Sequence, residues 1–175
     1  SILTDSGAEN GYRGHRNMTT IRQEDLVTSV ADALQFISFY HPTDYIRALG
    51  AAYEAEESPA AKDAMAQILY NSRLCAEGHR PICQDTGLVV VFVEVGMGVG
   101  WDAQLGLQEM VDEGVRRAYT HPDNVLRASM VSPPIGARRN TGDNTPAVVH
   151  VRLVPGDEVV VKLAAKGGGS ENKSR

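Results

Sequence analysis

At 175 residues the chain is long enough for one domain with a real core and little more. Its 42 % hydrophobic and 22 % charged residues describe an ordinary soluble globular protein, and its longest apolar run, Leu88 to Val93, is strand-sized rather than membrane-spanning. A formal charge of −5, with basic residues scattered along the chain, speaks against nucleic acid or an anionic membrane as partner.

Residues 1–17 are polar and glycine-containing, and Met18 resembles a natural start. We therefore expect a tag or disordered extension there and the domain over 18–175. Thr20 with Gln23 three residues on is a capping-box signature, predicting a helix whose stripe is Leu26, Val30, Leu34 and Ile37. His41-Pro42 breaks it. A second helical pattern follows in Tyr45, Ile46, Leu49, Ala52 and Tyr53. Ser58-Pro59 opens a third helix, a cap followed by proline at the first position, with Ala61, Ala64, Met65, Ile68 and Leu69 as its buried stripe and Gly78 as its stop.

Beyond Gly78 the chain changes character, since 12 of the 17 glycines lie there. Leu88 to Val95 reads as a central strand covered on both faces. Leu107, Met110, Val111, Gly114, Val115 and Ala118 predict a fourth helix. Val149, Val151 and Leu153 alternate with polar residues, and Val159, Val161 and Leu163 alternate again after Pro155-Gly156-Asp157. That pattern predicts a β-hairpin with one buried face. The expected class is α+β: an N-terminal helical subregion, then a mixed sheet with a hairpin.

Two cysteines cannot build a disulfide framework, so a cytoplasmic location is expected. Cys83 lies on a turn between a helix and a strand, beside Arg80 and Pro81. That setting suits a metal ligand or nucleophile, although a small buried hydrophobe is the plainer reading. Cys75, on the third helix, reads as core packing. With no C-x-x-C pair, structural zinc is not supported. Gly96-Met97-Gly98-Val99-Gly100 follows a strand, but the dinucleotide fingerprint needs a glycine at 101, where Trp101 stands. Arg127, Arg138 and Arg139 are candidate carboxylate forks, and residues 139–146 read as a structural loop. Lys166 to Lys173 is a flexible tail or linker, an anion cradle of backbone N–H groups, or a close backbone approach to a cluster.

The ordered set of Arg80-Pro81-Ile82-Cys83-Gln84-Asp85-Thr86-Gly87, Leu126-Arg127, Asn140 to Ala147 and Ala165 to Lys173 resembles the class I, iron–sulfur-dependent fumarate hydratases. By extension it resembles the related tartrate dehydratase alpha subunits. The resemblance implies the N-terminal domain of such a hydro-lyase, acting on malate and fumarate with a [4Fe–4S] cluster held by three cysteines. Carried onto this chain, Cys83 matches a cluster ligand, while Gln84, Asp85, Arg127 and Gly169 match dicarboxylate contacts. The other two cysteines and the catalytic base belong to segments outside this chain, so no catalytic residue is assigned here. The expectation is a fragment inactive by itself, part of a homodimer when whole. The alternatives are a non-catalytic domain with the hydratase fold and a dehydratase for tartrate or another hydroxy-diacid.

Overall fold

The protein is seen in a computed structural model that describes residues 18–83, 87–123 and 126–167; the expectation for residues 1–17 lies outside them. A short strand β1, Thr20–Arg22, runs directly into helix α1, Gln23–Phe39. The capping box is not used. Arg22 occupies the cap position in extended geometry without a side-chain cap, because Thr20 to Arg22 pair in parallel with strand residues 100–102. Gln23 is employed differently: its Oε1 accepts the backbone N–H groups of Gln104 and Leu105, both at 3.1 Å.

Helix α2 spans Thr43–Ala55 and α3 spans Pro59–Gly78. Ser58 caps α3 as expected, accepting from the Ala61 N–H at 3.5 Å with Pro59 at the first turn, and the helix ends at His79 in left-handed geometry (φ 47°). The expected stripe of α3 is not core, however. Ala64 and Ile68 are exposed, and only Ser72 and Cys75 of this helix are buried. The reason is that α2 and α3 pack on each other and meet α1 sparingly, so their apolar residues find no second layer among the described residues.

Strand β2, Gly87–Gly96, is followed by β3, Gly100–Asp102, and helix α4, Leu107–Thr120. Two short strands, β4 (Val131–Ser132) and β5 (Arg139–Asn140), pair antiparallel, and β6 (Val148–Val154) and β7 (Val159–Gly167) complete the order. The main sheet is mixed, which bears out the α+β class, but the expected hairpin is split. The strand order is β6-β2-β7, with β2 parallel to β6 and antiparallel to β7, so β6 and β7 do not pair with each other.

The split explains the glycine run at 96–100. The Pro155-Gly156-Asp157 turn passes over the end of β2, where the Gly96 N–H donates to the Glu158 carbonyl at 2.8 Å and the Gly98 N–H to that of Gly156 at 2.7 Å. A Cβ on Gly96 would lie 2.6 Å from the Gly156 oxygen, so only glycine lets the turn cross. The run is a seat for a crossing chain rather than a phosphate cradle.

One face of β2 carries Val89, Val91, Val93 and Val95 into the core, against Leu26, Val27, Val30 and Leu34 of α1 and Met110, Val111 and Val115 of α4. Burying each such side chain stabilises the fold by about 1.5–3 kcal/mol. The expectation of cover on both faces is not met among the described residues. Leu88 and Phe92, on the opposite face, are 41 % and 49 % exposed, and Phe92 stacks on His150 of the neighbouring strand at 4.9 Å. Among the described residues no helix is long and apolar enough to cross a membrane.

Candidate functional site

The approach to Cys83 is fastened at each backbone step. After the left-handed His79, the Arg80 N–H donates to the Cys75 carbonyl at 3.0 Å and the Cys75 thiol donates to the Pro81 carbonyl at 3.4 Å. Ile82 is held on both sides, its N–H by the Ser38 carbonyl of α1 at 2.8 Å and its carbonyl by Asn71 Nδ2 of α3 at 3.1 Å. Asn71 and Cys75, one turn apart on α3, therefore act together on this short segment. They leave Cys83 exposed at its end.

A second set of hydrogen bonds fixes the loop between α4 and β6. Asn140 Oδ1 accepts from the Met130 and Gly142 N–H groups, and its Nδ2 donates to Ser129 Oγ at 3.0 Å. Helix α4 brackets the far end: Asp112 accepts the Ala147 N–H at 2.8 Å, Gln108 donates to the Ala147 carbonyl at 3.1 Å, and Arg116 pairs with Asp143 at 3.1 Å. Burial works to raise the Asp143 carboxyl, but the Thr145 N–H and hydroxyl, with Arg116, outweigh it and hold the group below its ordinary value.

Asn144 ties this loop to β2. It is fully buried in left-handed geometry (φ 60°), its Oδ1 accepts the Ser129 N–H at 2.7 Å, and its Nδ2 donates to the Gly87 carbonyl at 2.8 Å. Gly87 in turn stands opposite Gly167 in the β2–β7 ladder. The separated stretches around Arg127, Asn144 and Gly167 are thereby drawn to one end of the sheet, at the start of β2. Arg127 is exposed, two residues before Ser129. Gln84, Asp85 and Gly169 lie outside the described residues, next to Cys83 and Gly167 in the chain.

The profile of the fumarate hydratase (Fumerase) family matches residues 27–175. The chain belongs to the fumarate hydratase family. A Methanocaldococcus jannaschii protein named for the alpha subunit of L(+)-tartrate dehydratase is 30 % identical over 148 residues, 83 % of this chain and 51 % of its own length. The anaerobic and aerobic class I fumarate hydratases of Escherichia coli K12 are 35 % and 38 % identical over 122 residues, 70 % and 69 % of this chain but 22 % of their own length in each case. The chain thus spans about half of the first relative and about a fifth of the other two.

Cys83 carries an exposed cysteine sulfur, the ligand type that iron–sulfur clusters take. Among the described residues no three His, Cys, Asp or Glu side chains gather closely enough to hold a metal ion. Cys83 fits such a group as a single exposed ligand on a stiff arm. Sequence reasoning missed Asn71, which holds the approach to Cys83, and Gln108, Asp112 and Asn144, which fasten the loop between α4 and β6. The signals available were the i, i+4 spacing of Asn71 with Cys75 and of Gln108 with Asp112. For Asn144, density in turn formers masked the buried role.

Proposed function

We propose that the chain forms part of a hydro-lyase that interconverts (S)-malate and fumarate, with Cys83 as one ligand of a [4Fe–4S] cluster. The observation that supports this reading is the match to the fumarate hydratase family over residues 27–175, with the Arg127, Asn144 and Gly167 stretches meeting at the start of β2. When bound, such a cluster supplies an open iron that acts as a Lewis acid toward the substrate's hydroxyl. Arg127 forks onto a substrate carboxylate through its guanidinium, a geometry that a lysine would not reproduce. Gln84 and Asp85 orient the dicarboxylate beside Cys83, and Gly169 offers it a backbone N–H. The remaining cluster cysteines and the base that takes the C3 proton come from outside these residues. We place the protein in the cytoplasm, as a homodimer.

A second reading, a dehydratase for tartrate or another hydroxy-diacid, is favoured by the tartrate dehydratase alpha relative, which this chain matches over a larger part of its length than it does the fumarate hydratases. Anaerobic iron–sulfide reconstitution of the full-length gene product, followed by assays with fumarate, mesaconate and tartrate, separates the two. A brown protein that hydrates fumarate is expected. Activity confined to tartrate would favour the second reading, and a colourless inactive protein would leave a non-catalytic domain with the hydratase fold.

A further inference from the structure

The two carbonyls that precede Cys83 are both held by side chains of α3. The Cys75 thiol donates to the Pro81 carbonyl at 3.4 Å, and Asn71 Nδ2 donates to the Ile82 carbonyl at 3.1 Å. The second contact bears directly on Cys83, because the Ile82 carbonyl belongs to the planar peptide group that ends at the Cys83 Cα. From the other side, the Ile82 N–H is held at 2.8 Å by the Ser38 carbonyl, one of the last carbonyls of α1, which lack a partner within their own helix. Asn71 also reaches Cys75, whose thiol stands 3.7 Å from Asn71 Oδ1. A carboxamide suits this place because it offers a donor on one side and an acceptor on the other. Nothing in α3 itself calls for asparagine. The position is exposed and inside a 20-residue helix, where alanine is the better helix former.

We propose that Asn71 is a positioning residue for Cys83: it fixes the peptide plane before the cysteine, so that the ligand is held in one place before a cluster binds. The inference rests on the reading of Cys83 as a cluster ligand given above. Asn71 touches neither cluster nor substrate and acts through the Ile82–Cys83 peptide. A ligand already held in place loses less freedom on binding, so its bond to the metal is tighter and slower to break. Outer contacts that orient a metal ligand are worth about 10–100-fold in metal affinity. The same clamp sorts the two thiols, since Cys75 is buried with its S–H committed to the Pro81 carbonyl while Cys83 is exposed.

The test uses the full-length gene product, both cluster-free and after anaerobic reconstitution, with the variants Asn71→Asp and Asn71→Ala. The first keeps the shape and removes the donor; the second removes the whole carboxamide. Both should keep a Tm close to the parent's, because the position is exposed and alanine favours the helix. In the cluster-free protein, hydrogen exchange over 80–83 should quicken in both variants and stay unchanged over α4. In the loaded protein, iron should pass to an external chelator about tenfold faster or more than from the parent, followed by the loss of the cluster's visible absorbance. Gly114→Ala, which disturbs the core at Val27 and Val30, is the control: it should lower Tm without speeding the loss of iron. Iron loss at the parent's rate in the Asn71 variants would overturn the proposal, and so would equal acceleration in Gly114→Ala. Unchanged exchange over 80–83 would also overturn it. A parent protein that takes up no iron would instead sink the cluster reading and this inference with it, so the two failures are distinguishable.

Discussion

A Cβ placed on Gly114 would lie 2.7 Å from the Cβ of Val30 and 2.7 Å from the carbonyl oxygen of Val27. Helices α1 and α4 therefore meet backbone to backbone at this point, in the middle of the core. Alanine there gains about 1 kcal/mol of helix propensity over glycine. Overpacking against a main-chain oxygen, which cannot rotate away, costs about 1–3 kcal/mol. The clash wins. Gly114→Ala is expected to lower stability by roughly 1–2 kcal/mol, read as a fall in Tm of about 3–6 °C. A variant as stable as the parent would show that the two helices can separate freely.

Asp143 gives the protein an acid-sensitive joint. Its carboxyl is held below its ordinary value in the folded state, so its contribution to stability is fully present above the unfolded-state pKa and is lost as pH falls through the folded one. Because Arg116 is about half exposed, solvent screening limits this contribution to roughly 1 kcal/mol. Asp143→Asn should be less stable than the parent at neutral pH, and the gap should close below about pH 4. Chemical denaturation at pH 7 and pH 3 reads this, and a gap that widens in acid would contradict it.

The two cysteines are expected to behave oppositely. Cys75 is 4 % exposed and its thiol donates to the Pro81 carbonyl, so Cys75→Ala should cost about 1–2 kcal/mol through lost packing and a lost hydrogen bond. Cys83 is exposed, and Cys83→Ser should change stability by less than about 0.5 kcal/mol. On the proposed function the same serine variant should fail to gain the brown colour of the reconstituted parent. Iron content per protein, measured beside thermal denaturation for both variants, checks the pair.

Arg127→Lys keeps the charge and loses the planar fork. It should raise KM for malate by about tenfold or more with the fold intact, since a bidentate carboxylate contact is not replaced by a point charge. Equal KM values in parent and variant would remove Arg127 from the binding site.

What the sequence made legible was what local chemistry determines. Ser58-Pro59 announced the start of α3, and the spacing of Leu26, Val30 and Leu34 announced the buried face of α1. Thr20 misled because its signature is local, whereas pairing with Gly100, 80 residues away, determines its backbone. The hairpin misled for the same reason. Two alternating runs around a turn look alike whether their strands pair or admit a third between them, and Gly96 is where that difference is made. Cys83 and Arg127, read from the motifs in which they sit, are the residues on which the proposed function relies. Asn144 was not legible, since its partners Gly87 and Ser129 lie 57 and 15 residues away and nothing in a run of turn formers reports burial.

The crossing of the Pro155-Gly156-Asp157 turn over Gly96 makes the two ends of the sheet mechanically unequal. At that end β6 and β7 are tied around β2 by continuous chain, like the spring of a clip. At the other end, where β2 begins, Gly87 stands opposite Gly167 in the ladder and its carbonyl accepts from Asn144. Opening is therefore expected to begin at the jaws, by Gly87, rather than at the spring, by Gly96, and hydrogen exchange along β2 reads the difference. Substitutions near Gly87 can retune the jaws while the spring keeps the fold closed.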